Sequence, residues 1–332
     1  MKNSAFGVIA LSALLTLRCN FDGGVLPYHS EGDWIQVRKS QGGPYFQALS
    51  FADENNGYVV GDSGRILITT DGGSSWVAPR TGSTAHLWCV AFSNPQKGWV
   101  GGESNTIGAT TDGGRSWRWQ NPAGEPRRTF MGMSFINEHE GWVVDNYSGI
   151  LHTVDGGVSW TPQTSGTRWA ITSVQFVDSR EGWATATNRV VLHTLDGGNN
   201  WTVTVLDTLA YGKYVTVIYT DIFSYHSSVW IATNTMASNI LNPVASVVYT
   251  SDAGKTWASQ TAPETMAITS VRFVDENTGW AGSEKGILHT ANGGRTWTFQ
   301  LEQEGPFFVD IFFVNPSHGW ALTFTGDVYR YR

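Results

Sequence analysis

The sequence predicts an all-β protein, a single seven-bladed β-propeller with four-stranded blades. Two recurring landmarks and their spacing support this fold. Seven tryptophans at positions 34, 76, 117, 160, 201, 257 and 297 are separated by 42, 41, 43, 41, 56 and 40 residues. A period near this length with several short strands per unit is typical of propeller blades.

The first landmark is an eight-residue turn motif: Thr, any residue, Asp, a small residue, Gly, any two residues, Trp. It first occurs at residues 69–76 and recurs five times. Asp followed by glycines favours a hairpin, because Gly accepts positive φ and the carboxylate accepts backbone N–H bonds. A motif present in every unit builds the unit, so we assign a structural role and no catalytic role to its acidic position: Asp71, Asp112, Asp155, Asp196, Asp252 and, as an amide, Asn292.

The second landmark is a Gly-aromatic pair that begins the second strand of each blade, with Val229 replacing Gly in blade 5. Six residues before each pair lies a Phe, which would be Phe223 in blade 5. The position three residues before each Phe is small in six of seven units, as expected where sheets converge on a central axis. These residues are Ala48, Cys89, Gly132, Ser173, Thr220, Ser270 and Asp310.

Blade 6 shows how the four strands are predicted within one unit. Residues 268–274 form the innermost strand, residues 279–282 begin the second, and residues 287–290 and 297–300 form the third and fourth. The last unit stops before a fourth strand. Trp34, in contrast, lies before the first unit and has no strands one to three of its own. We therefore expect residues 34–37 to complete the last blade and close the ring.

Composition and the amino-terminal segment favour an exported protein. Residues 1–19 combine Lys2 with an apolar run and Cys19, and are typical of an export signal with a lipobox-like lipidation candidate; a plain secretory signal is the alternative. Residues 20–31 would be a tether and residues 32–332 the propeller, in the periplasm or at the cell surface. The net charge of −7 argues against a nucleic-acid partner.

The turn motifs resemble the Asp-box, or bacterial neuraminidase, repeat. Together with the Phe and Gly-Trp landmarks, they make the chain similar to the propellers of the photosystem II stability and assembly factor family. This resemblance implies a seven-bladed, exported, non-catalytic module without a cofactor, which binds a protein partner partly through an arginine patch. The partner could be a membrane-protein complex or an envelope component, and a glycan remains a further option.

Two irregularities suggest where a partner binds. In a propeller the turns between strands three and four lie on one face, and the connections from strand two to three and from strand four to the next blade lie on the other. Insertions at residues 206–214 and 233–246 both fall on this other face, at blade 5. Insertions commonly mark the binding side, although drift without function is equally compatible with them.

The same face is predicted to carry arginines and aromatic side chains, a combination that favours protein recognition. Solvated arginines and half-buried rim aromatics are the alternative for each residue alone. The candidates are Arg127, Arg128, Arg168, Trp169, Arg189, Tyr211, Tyr214 and Met236, with Tyr45, His86 and Phe307 around the same openings.

An enzyme is the competing hypothesis. Sialidases and xyloglucanases carry similar repeats, and a glycoside hydrolase needs two carboxylates. Asp310 and Asp221 interrupt the inner strands, but the sequence does not bring any pair together.

A metal site is not expected, because His152, His193 and His289 occupy one equivalent position in three separate blades.

Overall fold

The computed structural model describes residues 34–40, 42–122, 127–206, 216–236, 246–263, 267–303, 305 and 307–332, with only the backbone of residues 216, 217, 235 and 236. These residues form 27 strands and one short 3₁₀ turn, Asp62–Gly64. The first strand is β1 (Trp34–Arg38). Blade 1 contains β2 (Phe46–Phe51), β3 (Gly57–Gly61) and β4 (Ile66–Thr69).

Blades 2 to 4 follow the same order from the innermost strand outwards. Blade 2 is β5 (Leu87–Phe92), β6 (Gly98–Gly102), β7 (Ile107–Thr110) and β8 (Arg118–Gln120). Blade 3 is β9 (Phe130–Phe135), β10 (Gly141–Asp145), β11 (Ile150–Thr153) and β12 (Thr161–Gln163). Blade 4 is β13 (Ile171–Phe176), β14 (Gly182–Ala186), β15 (Val190–Thr194) and β16 (Thr202–Val205).

Blades 5 to 7 complete the ring. Blade 5 is β17 (Thr216–Tyr225), β18 (Ser228–Met236), β19 (Ser246–Thr250) and β20 (Ala258–Thr261). Blade 6 is β21 (Ile268–Phe273), β22 (Gly279–Ser283), β23 (Gly286–Thr290) and β24 (Thr298–Glu302). Blade 7 is β25 (Phe308–Asn315), β26 (His318–Thr323) and β27 (Val328–Tyr331), with β1 outermost.

The seven sheets are antiparallel, and the predicted seven-bladed architecture is confirmed. Their innermost strands each contact the next around a central channel, and β25 contacts β2 to complete the circle. In blade 1 the fourth strand is reduced to a single bridge between Ile68 and Val77. Ring closure is as expected: β1 pairs with β27, placing Trp34 opposite Tyr331 and Ile35 opposite Arg330.

Backbone hydrogen bonds define the two faces. On the face that we call the Asp-box face, the turn motif of one blade bonds the turn between strands one and two, as in Gly72 N–H to the Asn55 carbonyl (2.9 Å). On the opposite face, the connection between blades bonds the turn between strands two and three. There Asn105 N–H donates to the Arg128 carbonyl (2.9 Å).

Each Asp-box turn is held by the side-chain oxygen of its own Asp or, in blade 6, Asn. In blade 3, Asp155 accepts bonds from the Thr153 hydroxyl (2.8 Å), the Ser159 N–H (2.9 Å) and the Ser159 hydroxyl (2.6 Å). These bonds, that of the Ser159 side chain foremost, lower the pKa of Asp155 to about 2. Asn292 accepts from the Thr296 N–H (3.0 Å) in the same way, so the acceptor oxygen and not the charge holds the turn.

Aromatic rings join successive blades. In six of the seven junctions, the strand-two ring, which follows Gly or, in blade 5, Val229, stacks on the Phe of the next blade, with centroids 3.3 to 4.1 Å apart. These pairs are Tyr58 with Phe92, Trp99 with Phe135, Trp142 with Phe176, Trp230 with Phe273, Trp280 with Phe313, and Trp320 with Phe51. The Asp-box tryptophan of that next blade meets the same Phe edge-on in most blades, for example Trp201 against Phe176 at 5.7 Å.

The Phe also explains the glycine of the Gly-aromatic pair. In these six blades the Phe lies directly across from that glycine in the strand ladder, as Phe135 lies opposite Gly141. A Cβ atom on Gly141 would lie 2.3 Å from the Phe135 ring. The glycine is therefore required because the cross-strand ring occupies the place of its side chain.

Blade 5 departs from the predicted phase, and the assignment of Phe223 to the Phe position is wrong. Ser224, and not Phe223, pairs with Val229, because four residues separate this pair where five separate the paired Phe and Gly of the other blades. Val229 can therefore carry a side chain. The shift also moves the inner position by one residue, from Thr220 to Asp221, which follows the irregularity in the ladder as Ser270 and Asp310 do.

We predict that Trp142→Ala lowers the free energy of unfolding by about 3 to 5 kcal/mol, as loss of a buried large aromatic does. Trp142 is fully buried and its indole N–H donates to the Gly197 carbonyl of the next blade (3.2 Å). Urea unfolding at equilibrium measures the change. Trp142→Phe keeps a ring but loses the hydrogen bond, and a loss equal to that of the alanine variant would contradict the stacking argument.

A second prediction concerns the Asp-box turn. Asp155→Asn should change the melting temperature little, because Asn292 already serves in the equivalent turn of blade 6. Asp155→Ala should lower it, since the Ser159 and Thr153 donors lose their acceptor. Thermal unfolding by circular dichroism compares the two variants, and equal melting temperatures would show that the acceptor is dispensable.

Candidate functional site

The predicted arginines lie at neighbouring connections of the opposite face. Arg127 and Arg128 precede β9, Arg168 and Trp169 precede β13, and Arg189 lies in the turn between β14 and β15. These connections bond one another in sequence around the rim: the Ser165 hydroxyl donates to the Ser148 carbonyl, and Thr187 N–H donates to the Ala170 carbonyl. The arginines therefore follow one arc of the rim, over blades 2 to 4.

The arginines of this arc differ in their exposure and in their partners. Arg128 is partly buried and its guanidinium bonds the buried Asp145 carboxylate at 2.8 Å, so much of its charge is compensated. Arg127 and Arg168 are exposed. The Arg168 guanidinium lies 4.8 Å from the centre of the partly exposed Trp169 ring, within the range of a cation–π contact. Arg168 and Trp169 thus form the most preorganised charged element of the arc.

The structure describes only some of the other candidate residues. Tyr211 and Tyr214 lie outside the described residues, as do Cys19 and the rest of the export segment. Met236 ends β18, and only its backbone is described. Tyr45 is 45% exposed on the opposite face and stacks on Phe324 at 4.0 Å, while His86 pairs with Asp62 at 2.8 Å.

The insertions in blade 5 extend the first two strands. β17 and β18 are ten and nine residues long, where their counterparts in blade 6 have six and five. The part of the second insertion from Thr233 to Met236 is therefore strand, not loop, because it pairs with residues 216–219 of β17. This hairpin extends on the opposite face, towards residues 207–215 and 237–245, which lie outside the described part of the chain.

A second polar cluster, which the sequence did not reveal, lines the central channel. Ser270 on β21 stands between two carboxylates: its hydroxyl oxygen is 3.0 Å from Asp221 of blade 5 and 3.1 Å from Asp310 of blade 7. Arg272, two residues along β21, bonds Asp221 and lies 3.9 Å from Asp310. We call Asp221, Ser270, Arg272 and Asp310 the channel cluster.

The channel cluster joins the inner strands of neighbouring blades by hydrogen bonds. Asp221 accepts the Val271 N–H of blade 6 (3.1 Å), and Asp310 accepts the Leu49 N–H of blade 1 (2.9 Å). One Ser270 proton cannot satisfy two carboxylates at once, which favours a proton on one of them. Burial, with a smaller contribution from Asp221, raises the pKa of Asp310 to about 6 despite the opposing charge of Arg272.

Within the described ranges, no group of three or more His, Cys, Asp or Glu side chains is arranged to hold a metal ion. His152 and His193 are each used locally: each pairs with a Glu of its own blade, at 3.2 and 3.1 Å, and stacks on the Trp of its second strand. Over the same part of the chain, no helix is long and apolar enough to cross a membrane.

Comparison with known proteins identifies the family. The model of the photosynthesis system II assembly factor YCF48 matches residues 27–118, 78–164 and 118–261, more than half of the chain. The chain belongs to the YCF48 family. A comparison with curated proteins gave no match.

Solved YCF48 structures share the fold. A YCF48 bound to a D1 peptide superimposes with a TM-score of 0.72 at 20% identity, covering 92% of this chain and 98% of that one. YCF48 from Cyanidioschyzon merolae gives 0.69 at 19% identity, covering 90% and 98%. A GH74 enzyme from Niastella koreensis gives 0.70 at 15% identity, but only 53% of that enzyme is covered.

We predict that Asp310→Asn flattens the pH dependence of stability between about pH 4 and pH 6. The folded pKa of about 6 exceeds the ordinary value, so the folded state holds the proton more tightly and stability falls as pH rises through this window. The loss is on the order of 2 to 3 kcal/mol. Urea unfolding at a series of pH values measures it.

Asp221→Asn is the control for this prediction. It should destabilise the fold because Arg272 loses its closest carboxylate. If the unfolding free energy fell from pH 4 to pH 6 by the same amount in Asp310→Asn as in the wild type, another group would control the profile.

Proposed function

We propose that this propeller is a non-catalytic assembly factor that binds a protein partner, a segment of a membrane-protein complex, on the face opposite the Asp-box turns. Membership of the YCF48 family supports the class of function. A YCF48 with the same fold has been solved with a D1 peptide, which supports a peptide segment of a protein as the ligand.

The observation that carries the proposal is the arc of arginines with Trp169 on an otherwise acidic protein. Arg168 is exposed and oriented by an aromatic ring, and Arg127 adds a second exposed cation on the same rim. Arginine beside a partly exposed aromatic ring is the composition of protein interface anchors. An acidic or carboxylate-bearing segment is the chemistry that these groups would select.

Glycoside hydrolysis is the less favoured alternative. The channel brings Asp221 and Asp310 close together, as a hydrolase with two carboxylates would require. Both carboxylates are engaged, however, by backbone N–H groups of neighbouring blades and by Arg272. Their side chains are only 13% and 15% exposed, which suits strands joined in the channel better than a glycan substrate.

The proposal includes an exported location, with Cys19 as the lipid-anchor candidate, so that the propeller would work at a membrane without crossing it. Cys19→Ser should then move the protein from the membrane fraction to the soluble fraction. Retention in the membrane fraction would instead favour attachment through the partner or an uncleaved signal.

Binding to a D1 peptide tests the proposed face. We expect the double variant Arg127→Glu, Arg168→Glu to bind at least about tenfold more weakly, because two attractive contacts become repulsive. Arg115→Glu, in the exposed Asp-box turn of blade 2, is the matched control and should bind as the wild type. Fluorescence anisotropy at fixed salt measures both.

A photo-crosslinking residue at two positions gives an independent test on the native partner. Tyr147 is 41% exposed on the opposite face, and Val158 is 64% exposed in the Asp-box turn of blade 3. Adducts to a membrane protein should form from position 147 and not from position 158. Adducts from position 158 alone would place the interface on the wrong face and overturn the proposal.

A further inference from the structure

Among the described residues, the junction between blades 4 and 5 lacks the aromatic stack that joins the other six pairs of blades. The strand-two ring of blade 4 is Trp183, and the next blade offers Ser224 at the position where the others have Phe. Trp183 instead stacks on His193 of its own blade at 3.7 Å. Its contact across the junction is edge-on, with Trp257 at 6.2 Å.

In the described part of this junction, two kinds of hydrogen bond that recur elsewhere are missing. Strand-two indoles reach an Asp-box carbonyl of the next blade in four junctions, as Trp99 reaches Gly156 at 2.9 Å. For Trp183, none of the described residues accepts such a bond. The outermost strands of blades 2, 3 and 5 also send a glutamine to the next Asp-box turn, and these are Gln120, Gln163 and Gln260.

In blade 4 the corresponding residue is Thr204, three residues after the Asp-box tryptophan like each of these glutamines. Thr204 is exposed, as is every residue of β16. Its side chain is too short to span to the next Asp-box turn. Within the described residues, the outer part of the junction between blades 4 and 5 is therefore less bonded than the outer part of any other junction.

The inner part of the junction is well bonded. Gln175 of blade 4 accepts the Ser224 N–H of blade 5 at 2.6 Å, and the Ser173 hydroxyl donates to Asp221 at 3.2 Å. Farther from the axis, Val191 on strand three of blade 4 packs with Val229 and Val248 of blade 5 in an apolar cluster. A junction held near the axis and loose at the rim has the form of a hinge.

We propose that the junction between blades 4 and 5 is the joint at which the ring opens, with the outer strands separating about the bonded inner strands. Opening here separates the outer strands of blade 4 from those of blade 5, while the ring remains continuous at the other junctions. The long β17–β18 hairpin stands at this joint, so the opposite face would widen beside it. The other junctions stay closed because each has to break a ring stack.

Thiol labelling of the folded full chain tests the proposal. Cys89 is a native buried thiol in the apolar cluster between blades 2 and 3, and Cys19→Ser removes the other cysteine. Val191→Cys introduces a thiol of similar size in the cluster between blades 4 and 5, where Val191 is 2% exposed. We expect position 191 to be labelled at least about tenfold faster than Cys89 in the same molecule.

Repair of the joint is the decisive variant. Thr204→Gln provides the missing glutamine on an exposed strand, so it should fold, and it should slow labelling at position 191 several-fold while leaving Cys89 unchanged. Val248→Cys reports from the blade 5 side if Val191→Cys disturbs the cluster. Equal labelling rates at both junctions, or faster labelling of Cys89, would overturn the proposal.

Discussion

The structure depends on one contact repeated around the ring: an aromatic ring in strand two of one blade stacked on a phenylalanine of the next. A propeller blade is a sheet with two faces, and each face must be covered by a neighbour to exclude water. The stack provides this cover, and the indole N–H often fixes it to an Asp-box turn. The turn motif is therefore a fixed acceptor for the neighbouring blade as well as a hairpin.

The same contact explains how far the fold could be predicted. Glycine before the ring and phenylalanine across from it are two halves of one steric arrangement, so their spacing gave the blade number and the phase. Sequence spacing also predicted that Trp34 would complete the last blade. In blade 5 the spacing from Phe223 to Val229 is preserved while the turn is shortened, so counting residues could not detect the shifted ladder. Val229 in place of glycine was the available signal.

The channel cluster was missed for the same reason. Asp221 occupies the inner position only because the ladder of blade 5 is shifted. Nothing in the sequence distinguishes Arg272, because Asp221 and Asp310 lie on its two sides only in the folded ring. The arginines of the opposite face were predictable because they fall in connections, which any propeller places at its rim. Whether each is free or paired was not predictable, since the Asp145 partner of Arg128 comes from a strand end in the folded blade.

The pairing of β1 with β27 has a consequence for how the molecule is made. Strand β1 precedes its neighbour β27 by almost three hundred residues, so blade 7 stays incomplete until β27 has been synthesised. Contacts between such distant parts of a chain form slowly. The nascent protein must therefore keep an exposed sheet edge from pairing wrongly over all the intervening synthesis, and the arrival of β27 decides when that exposure ends.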